Sequence, residues 1–419
     1  MSRTMGSVVS CIIILWSYAF GIAYQQPRQM SVKDAVNYAL EHNPRINSAR
    51  AVIDIEAARK RQLWSPSKPS FNVEYEGMPN GTYFDLYESK KLIINQNIEF
   101  PLLYFKRIQQ QSFLVERARQ ELELERINLT AEVKTAYINA AYAREKYQFA
   151  VRNLNISDEL LLKIKNRFGA GEEGKKDYLW AKLQRDRADN GVSATQEEYN
   201  NTMENLKLLL AGKDLSPQYT LELSDSLVYI PIDSSLFSNL EAILAHHPAI
   251  KIHQNTINAA NKAVTISNQL ILPDISINLY KQNLNNKSGF WGLEAGLTLP
   301  VWFWSDQRGK KAEAQAGLRS AEWQQTLEIS KIRADYQSAK VSFQGAEQRV
   351  KRLYTEILSN AQELFSLTEV QYREGEVGYI DVMLAQQSLI ETKFEYITAL
   401  ADYNKALIRL EQVLGKELR

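Results

Sequence analysis

The chain has 419 residues, with 50 Lys and Arg against 49 Asp and Glu, and a single cysteine. Near-neutral charge leaves no electrostatic footprint for nucleic acid, and one cysteine excludes an intramolecular disulfide framework, so stability rests on packing. No nucleophile with a base and an orienting group, no phosphate-cradling loop and no clustered metal ligands are present, which argues against an enzyme.

Residues 1–23 read as a secretory signal peptide. Their only charge is Arg3, and the apolar run Val8 to Phe20 ends at the small residues Gly21 and Ala23. That run of about 13 residues is short of the ~20 needed to cross a bilayer. Cys11 lies inside the run and not at its end, so the mature chain is expected to carry no N-terminal lipid and no cysteine.

The rest of the chain contains the same unit twice. Leu40, His42, Pro44 and Ile46 recur as Leu244, His246, Pro248 and Ile250, and Pro69 recurs as Pro273. At the same offset, the segment from Phe168 to Gly174, with Asp177 and Ala181, meets Tyr372 to Gly378, Asp381 and Ala385. The period is far too long for a stacking solenoid. It predicts a first structural repeat over 24–211, a linker over 212–235 and a second repeat over 236–419. Each repeat reads as helix, two strands, long helix, glycine turn and long helix.

In the first repeat a helix is expected over 31–63, opened by Ser31 as N-cap and restarted at Pro44. Strands are expected at Ser70 to Gly77 and Leu92 to Phe100, and in the second repeat at Asp274 to Tyr280 and Phe290 to Leu299. Between Leu103 and Phe168 neither proline nor glycine interrupts a heptad series of small residues, Leu122, Leu129, Ala136, Ala143 and Ala150. This predicts a coiled-coil rod of about 100 Å, which turns at 169–174 and returns to Leu210. The second repeat predicts a helical region over 236–269 and long helices over 307–372 and 379–415.

The strands alternate. Phe71, Val73 and Tyr75 oppose Asn72, Glu74 and Glu76, while Trp291, Leu293 and Leu297 oppose Gly292, Glu294 and Gly296. Each is close to the ~9 to 11 residues of a tilted membrane strand. Four strands cannot close a barrel, and an open edge in lipid leaves backbone groups unsatisfied. Three copies would supply twelve strands. Glu74, Glu76, Glu99 and Glu294 are then expected to face the lumen and make it cation-tolerant. His42, His246, His247 and His253 lack ligand spacing and are read as structural.

The chain resembles the TolC family of outer-membrane efflux channels over its mature length. The likeness is carried by Asn43-Pro44 and His247-Pro248, by Pro69-Ser70-Phe71-Asn72-Val73-Glu74-Tyr75, by Pro273-Asp274-Ile275-Ser276-Ile277, and by Leu297-Thr298-Leu299-Pro300-Val301-Trp302 followed by Asp306-Gln307-Arg308-Gly309. The tips Arg167-Phe168-Gly169-Ala170-Gly171 and Tyr372-Arg373-Glu374-Gly375 carry it too. The segments Pro69 to Glu76 and Pro300 to Gly309 look more like the cobalt-zinc-cadmium type of metal-efflux channel. The resemblance implies a mainly α protein with a membrane β part: a homotrimer whose twelve-stranded barrel sits in outer-membrane lipid on a periplasmic helical tunnel.

It further implies a passive duct without cofactors, served by a periplasmic adaptor and an inner-membrane pump of the resistance-nodulation-division type, exporting metal cations. The same channel type could serve drugs or secreted proteins. A periplasmic coiled-coil adaptor is the contrasting class, opposed by the duplication and the strands. Asp177 and Asp381 would form an acidic periplasmic gate, or complement helix macrodipoles. Tyr372 would tie neighbouring helices in a closed state. Arg167, Gly171, Gly174, Gly375 and Gly378 would form the adaptor-docking tips, the glycines supplying the positive φ that reverses the helices. Gln371 stands where the second tip would have its arginine.

Overall fold

The computed structural model describes residues 28–78, 87–210, 221–233, 240–284, 287–299 and 303–418. The expected signal peptide lies outside the described residues, as do most of the turn after Met78 and the segment Pro300-Val301-Trp302. The strands are β1 (Arg28–Met30), β2 (Ser70–Glu76), β3 (Ser89–Ile98), β4 (Leu221–Leu223), β5 (Asp274–Leu284) and β6 (Lys287–Thr298). The helices are α1 (Val32–His42), α2 (Pro44–Gln62), α3 (Pro101–Gly169), α4 (Lys175–Leu210), α5 (Leu240–Leu244), α6 (Pro248–Gln269), α7 (Phe303–Arg352), α8 (Leu358–Glu374) and α9 (Tyr379–Leu414). A π turn, Leu353–Ile357, separates α7 from α8, so the long helix expected over 307–372 is interrupted.

Two compact units are built from alternating stretches of chain. The first comprises Met1–Asn43, Glu132–Tyr229 and Ala346–Lys405, and the second Pro44–Ala131, Ile230–Gly345 and Ala406–Arg419.

In the first unit α1 begins as expected at Ser31, whose hydroxyl accepts the Asp34 N–H while Asp34 reaches back to the Ser31 N–H, a full capping box. The β1 and β4 strands pair in parallel, Met30 opposite Leu223. These two strands were not legible, because three residues are too few to show alternation. Tyr137, only 1% exposed, fastens them to α3: its hydroxyl donates to the Met30 carbonyl at 2.9 Å and accepts the Asp225 N–H at 3.0 Å. Arg144, two turns along, donates to the carbonyls of Leu223 and Asp225. Small residues let α3 and α9 approach, with Ala140, Ala143 and Ala399 buried and Phe149 packed edge-on to Phe394 at 4.7 Å.

The second unit holds a four-stranded antiparallel sheet in the order β2-β3-β5-β6. Glu74 pairs with Lys91, Lys91 with Gln282 and Asn278 with Glu294, so one face collects the polar side chains. The other face carries Phe71, 75% exposed, and Leu293, 73% exposed. Such a row of large apolar side chains left open to solvent marks a surface meant for another apolar phase. Gly292 and Gly296 have a packing reason: a Cβ on Gly292 would lie 2.1 Å from Cζ of Tyr280, and one on Gly296 2.6 Å from Oγ of Ser276.

Candidate functional site

The two helical turns expected as tips meet within the first unit. Each is closed by the same chemistry. At the first, Glu172 N–H donates to the Arg167 carbonyl at 2.9 Å around Gly171, whose φ is +79°. At the second, Glu376 N–H donates to the Gln371 carbonyl at 2.9 Å around Gly375, whose φ is +80°. These six-residue closures require a left-handed residue at the helix end, where glycine avoids the Cβ clash.

Gly174 and Gly378 correct the expectation, because neither is among the positive-φ glycines. They stand where α4 and α9 begin: the N–H groups of Asp177 and Asp381 donate to their carbonyls at 3.1 Å. Asp381 also accepts the Gly378 N–H at 3.0 Å through its Oδ2, and the Asp177 Oδ2 lies 3.1 Å from where a Gly174 Cβ would stand. Both aspartates therefore occupy the third helical position, where a carboxylate satisfies an orphan N–H and favours the positive end of the helix. Asp381 is exposed and Asp177 half-buried.

Between the tips lies a polar cluster. Arg167 Nη1 donates to the Tyr372 hydroxyl oxygen at 2.6 Å, the Tyr372 hydroxyl donates to Glu173 Oε1 at 3.2 Å, and Arg167 Nη1 lies 3.4 Å from that same carboxylate. Arg167 Nε is also 3.4 Å from Glu172. The guanidinium carbon sits 5.3 Å from the Tyr372 ring centroid, so the cation contacts ring and hydroxyl together. Beneath, the ring packs on buried Ile164 and Ala181. Burial pushes the Tyr372 phenol above its ordinary value; the Arg167 charge opposes this and the Glu173 charge adds to it.

Glu173, with only 14% of its side chain exposed, was not singled out from the sequence. A signal existed in the places where the repeats disagree. Arg167 and Glu173 correspond to Gln371 and Val377, and Tyr372 corresponds to Phe168. The polar partners are thus divided between the tips, while the Phe168 ring stacks on Tyr178 at 5.5 Å within its own hairpin.

At the sheet, Glu74, Glu76 and Glu294 lie on the polar face. Lys91 stands between the first two, 2.9 Å from Glu76 and 3.9 Å from Glu74, and so offsets part of their negative charge. Glu294 accepts from Asn278 at 3.3 Å. Glu99 lies one residue beyond the end of β3 at Ile98 and pairs with Arg107 of α3 at 2.6 Å. Among the described residues no group of three or more His, Cys, Asp or Glu is placed to hold a metal ion.

Comparison with known proteins bears on this arrangement. The family described as outer membrane efflux protein matches residues 35–212 and again 239–416. The chain is 24% identical to the cation efflux system protein CusC of Escherichia coli O157:H7, covering 86% of this chain and 81% of that protein. It is 18% identical to the cobalt-zinc-cadmium resistance protein CzcC of Cupriavidus metallidurans, covering 72% and 71%. A solved structure of CusC superposes with a TM-score of 0.76 at 18% identity, covering 93% of each chain. The chain belongs to the outer membrane efflux protein family: it is a channel, not an enzyme, of the Gram-negative outer membrane, reaching into the periplasm as part of a tripartite export system.

Proposed function

We propose that this protein is the exit duct of a metal-cation efflux system. Three copies close the four-stranded sheets into a twelve-stranded barrel, and each copy contributes two related repeats, 24–211 and 236–419, joined by the linker 212–235. The single observation that carries the assembly is the exposed apolar face beside unpaired sheet edges, which in lipid demands closure by further copies. The likeness to a cation efflux protein and to a cobalt-zinc-cadmium resistance protein supports the cargo.

In this reading the paired tips form the periplasmic end, docking a periplasmic adaptor that belongs to a pump of the resistance-nodulation-division type. The Arg167–Tyr372–Glu173 cluster ties the tips in the closed state. Asp177 and Asp381, repeated around a threefold axis, give six carboxylates that favour cations and disfavour anions.

Deletion of the protein in its native host tests the cargo. Increased sensitivity to zinc, cobalt, cadmium or copper is expected. Unchanged metal tolerance with altered drug tolerance would overturn the metal assignment and leave the duct serving other substrates. The assembly is tested by reconstitution in a planar bilayer, where the purified trimer is expected to conduct.

A further inference from the structure

The two faces of the sheet differ in charge as well as polarity. In register across the strands, one row of the apolar face reads Phe71, Ile94, Leu279 and Leu293. The next row towards the β2–β3 and β5–β6 turns places Lys281 between Leu92 and Trp291, and the row beyond places Lys90 between Tyr75 and Asn283. From the Ile98–Ile275–Leu297 row to the Tyr75–Lys90–Asn283 row, Lys90 and Lys281 are the only charged side chains of this face, and neither has a carboxylate in its row. On the opposite face Lys91 is matched by Glu74 and Glu76.

Among the described residues neither Lys90 nor Lys281 is in an ion pair. Each instead lies over an aromatic ring, Lys90 at 5.1 Å from the Tyr75 centroid and Lys281 at 5.8 Å from that of Trp291. The two lysines are diagonal neighbours on β3 and β5, which places such residues about 7 to 8 Å apart. One phosphate group falls within reach of both flexible ammonium groups. The other end of the sheet leads into α2, α3, α6 and α7. If this sheet is the wall of a membrane barrel whose helices lie on the periplasmic side, the lysines and their aromatic partners fall at the outer leaflet. Aromatic residues belong at that depth. A cation facing lipid without a protein anion calls for an anionic headgroup.

We propose that Lys90 and Lys281, flanked by Tyr75 and Trp291, form a site for the phosphate of an outer-leaflet glycolipid of the lipid A class, whose acyl chains lie along the apolar rows below. The site rests on the reading of this sheet as the wall of a membrane barrel. Its ligand is selected by charge on the face that meets lipid, whereas exported cargo meets the other face.

The test uses full-length protein purified in detergent and native mass spectrometry with three probes: bisphosphorylated lipid A, dephosphorylated lipid A and phosphatidylglycerol. Retention of bisphosphorylated lipid A over both others is expected. The double variant K90Q/K281Q is expected to weaken that retention about 30-fold, about fivefold for each lysine, while K91Q on the opposite face leaves it unchanged. Equal retention of the dephosphorylated form, equal retention of phosphatidylglycerol, or equal weakening by K91Q would each overturn the site. The probe comparison needs only the unsubstituted protein, so it decides even where a variant fails to assemble. A protein that conducts in a planar bilayer but retains no lipid A sinks this site alone; one that forms no channel sinks the barrel reading.

Discussion

Arg167 at the end of α3 donates to the hydroxyl oxygen of Tyr372 at the end of α8 at 2.6 Å, joining two turns that the sequence places more than two hundred residues apart. Neither turn could make this bond with a copy of itself, because the first has Phe168 where the tyrosine would be and the second has Gln371 where the arginine would be. Divergence between the repeats created a donor on one tip and an acceptor on the other. Glu173 completes the cluster by accepting from the hydroxyl that accepts from Arg167.

Replacing Tyr372 by Phe removes both hydrogen bonds while keeping the ring on Ile164 and Ala181. A hydrogen bond to a charged group contributes about 1.5 to 3 kcal/mol, and the half-exposed setting favours the lower end. The expected outcome is a rise in mean single-channel conductance, with open-state occupancy up about tenfold. The phenol's raised pKa sets the pH window. The proton-dependent contribution is complete below the ordinary value of 10.0 and is lost as pH rises through the higher folded value. The native channel should therefore open above about pH 10, and Y372F should not show that step. Identical conductance traces for the two proteins would remove Tyr372 from the gate.

Asp381 can be divided into its two proposed roles by choice of substitution. Asp381→Asn keeps an oxygen for the Gly378 N–H and removes the charge; Asp381→Ala removes both. Loss of a helix-terminal cap costs about 1 kcal/mol, so thermal stability in detergent should fall in the alanine variant and hold in the asparagine one. If the carboxylates gate cations, cation-over-anion selectivity in bilayer recordings falls in both variants, most clearly when Asp177→Asn is added. Unaltered selectivity in the doubly neutralised channel would leave the aspartates as caps only.

Long periods were legible in the sequence and local asymmetries were not. The small-residue heptads of α3 and the alternation of β2, β3, β5 and β6 are driven by burial repeated over many residues, and the helices and strands appear close to the expected bounds. Ser31, a cap fixed by its own three-residue neighbourhood, was equally readable. Tyr137 was missed because its partners, Met30 and Asp225, come from distant short segments without periodicity. At Gly174 and Gly378 the sequence permits a positive φ without requiring it, and both start helices outside the left-handed region. The polar face of the sheet is readable from period two alone, but the end of β3 is not: the strand stops at Ile98, and Glu99 just beyond it pairs with Arg107.

Gly292 is predicted to be intolerant of even one methyl group. Its missing side chain is the space over which the Tyr280 ring lies on the neighbouring strand, an arrangement in which an aromatic ring covers a strand glycine. Gly292→Ala must push the ring off the sheet, and overpacking of this kind costs about 1 to 3 kcal/mol. Heat-resistant trimer on a denaturing gel should decrease. Combining the change with Tyr280→Ser removes the obstructing ring, so the added penalty of the alanine should vanish; persistence of the full penalty in that background would show that the ring is not its cause.

His247 is predicted to make the protein acid-sensitive. It is 6% exposed at the start of α6, its Nδ1 accepting the Ala249 N–H at 3.2 Å, and burial lowers its pKa below the ordinary 6.5, with the Glu328 charge opposing. The neutral ring is the form that caps the helix, since a protonated Nδ1 cannot accept. For a depressed pKa the unfolded state binds the proton first, so stability present above pH 6.5 is lost as pH falls through the lower folded value. Melting temperature in detergent should therefore decline between pH 7 and pH 5. Asparagine is a preferred cap and does not titrate. His247→Asn should keep the neutral-pH melting temperature within a few degrees while flattening the acid limb, whereas His247→Ala should lose about 1 kcal/mol at neutral pH and close that gap towards acid pH, where the native ring no longer caps. An asparagine variant with the same acid limb as the native protein would assign that limb to other groups.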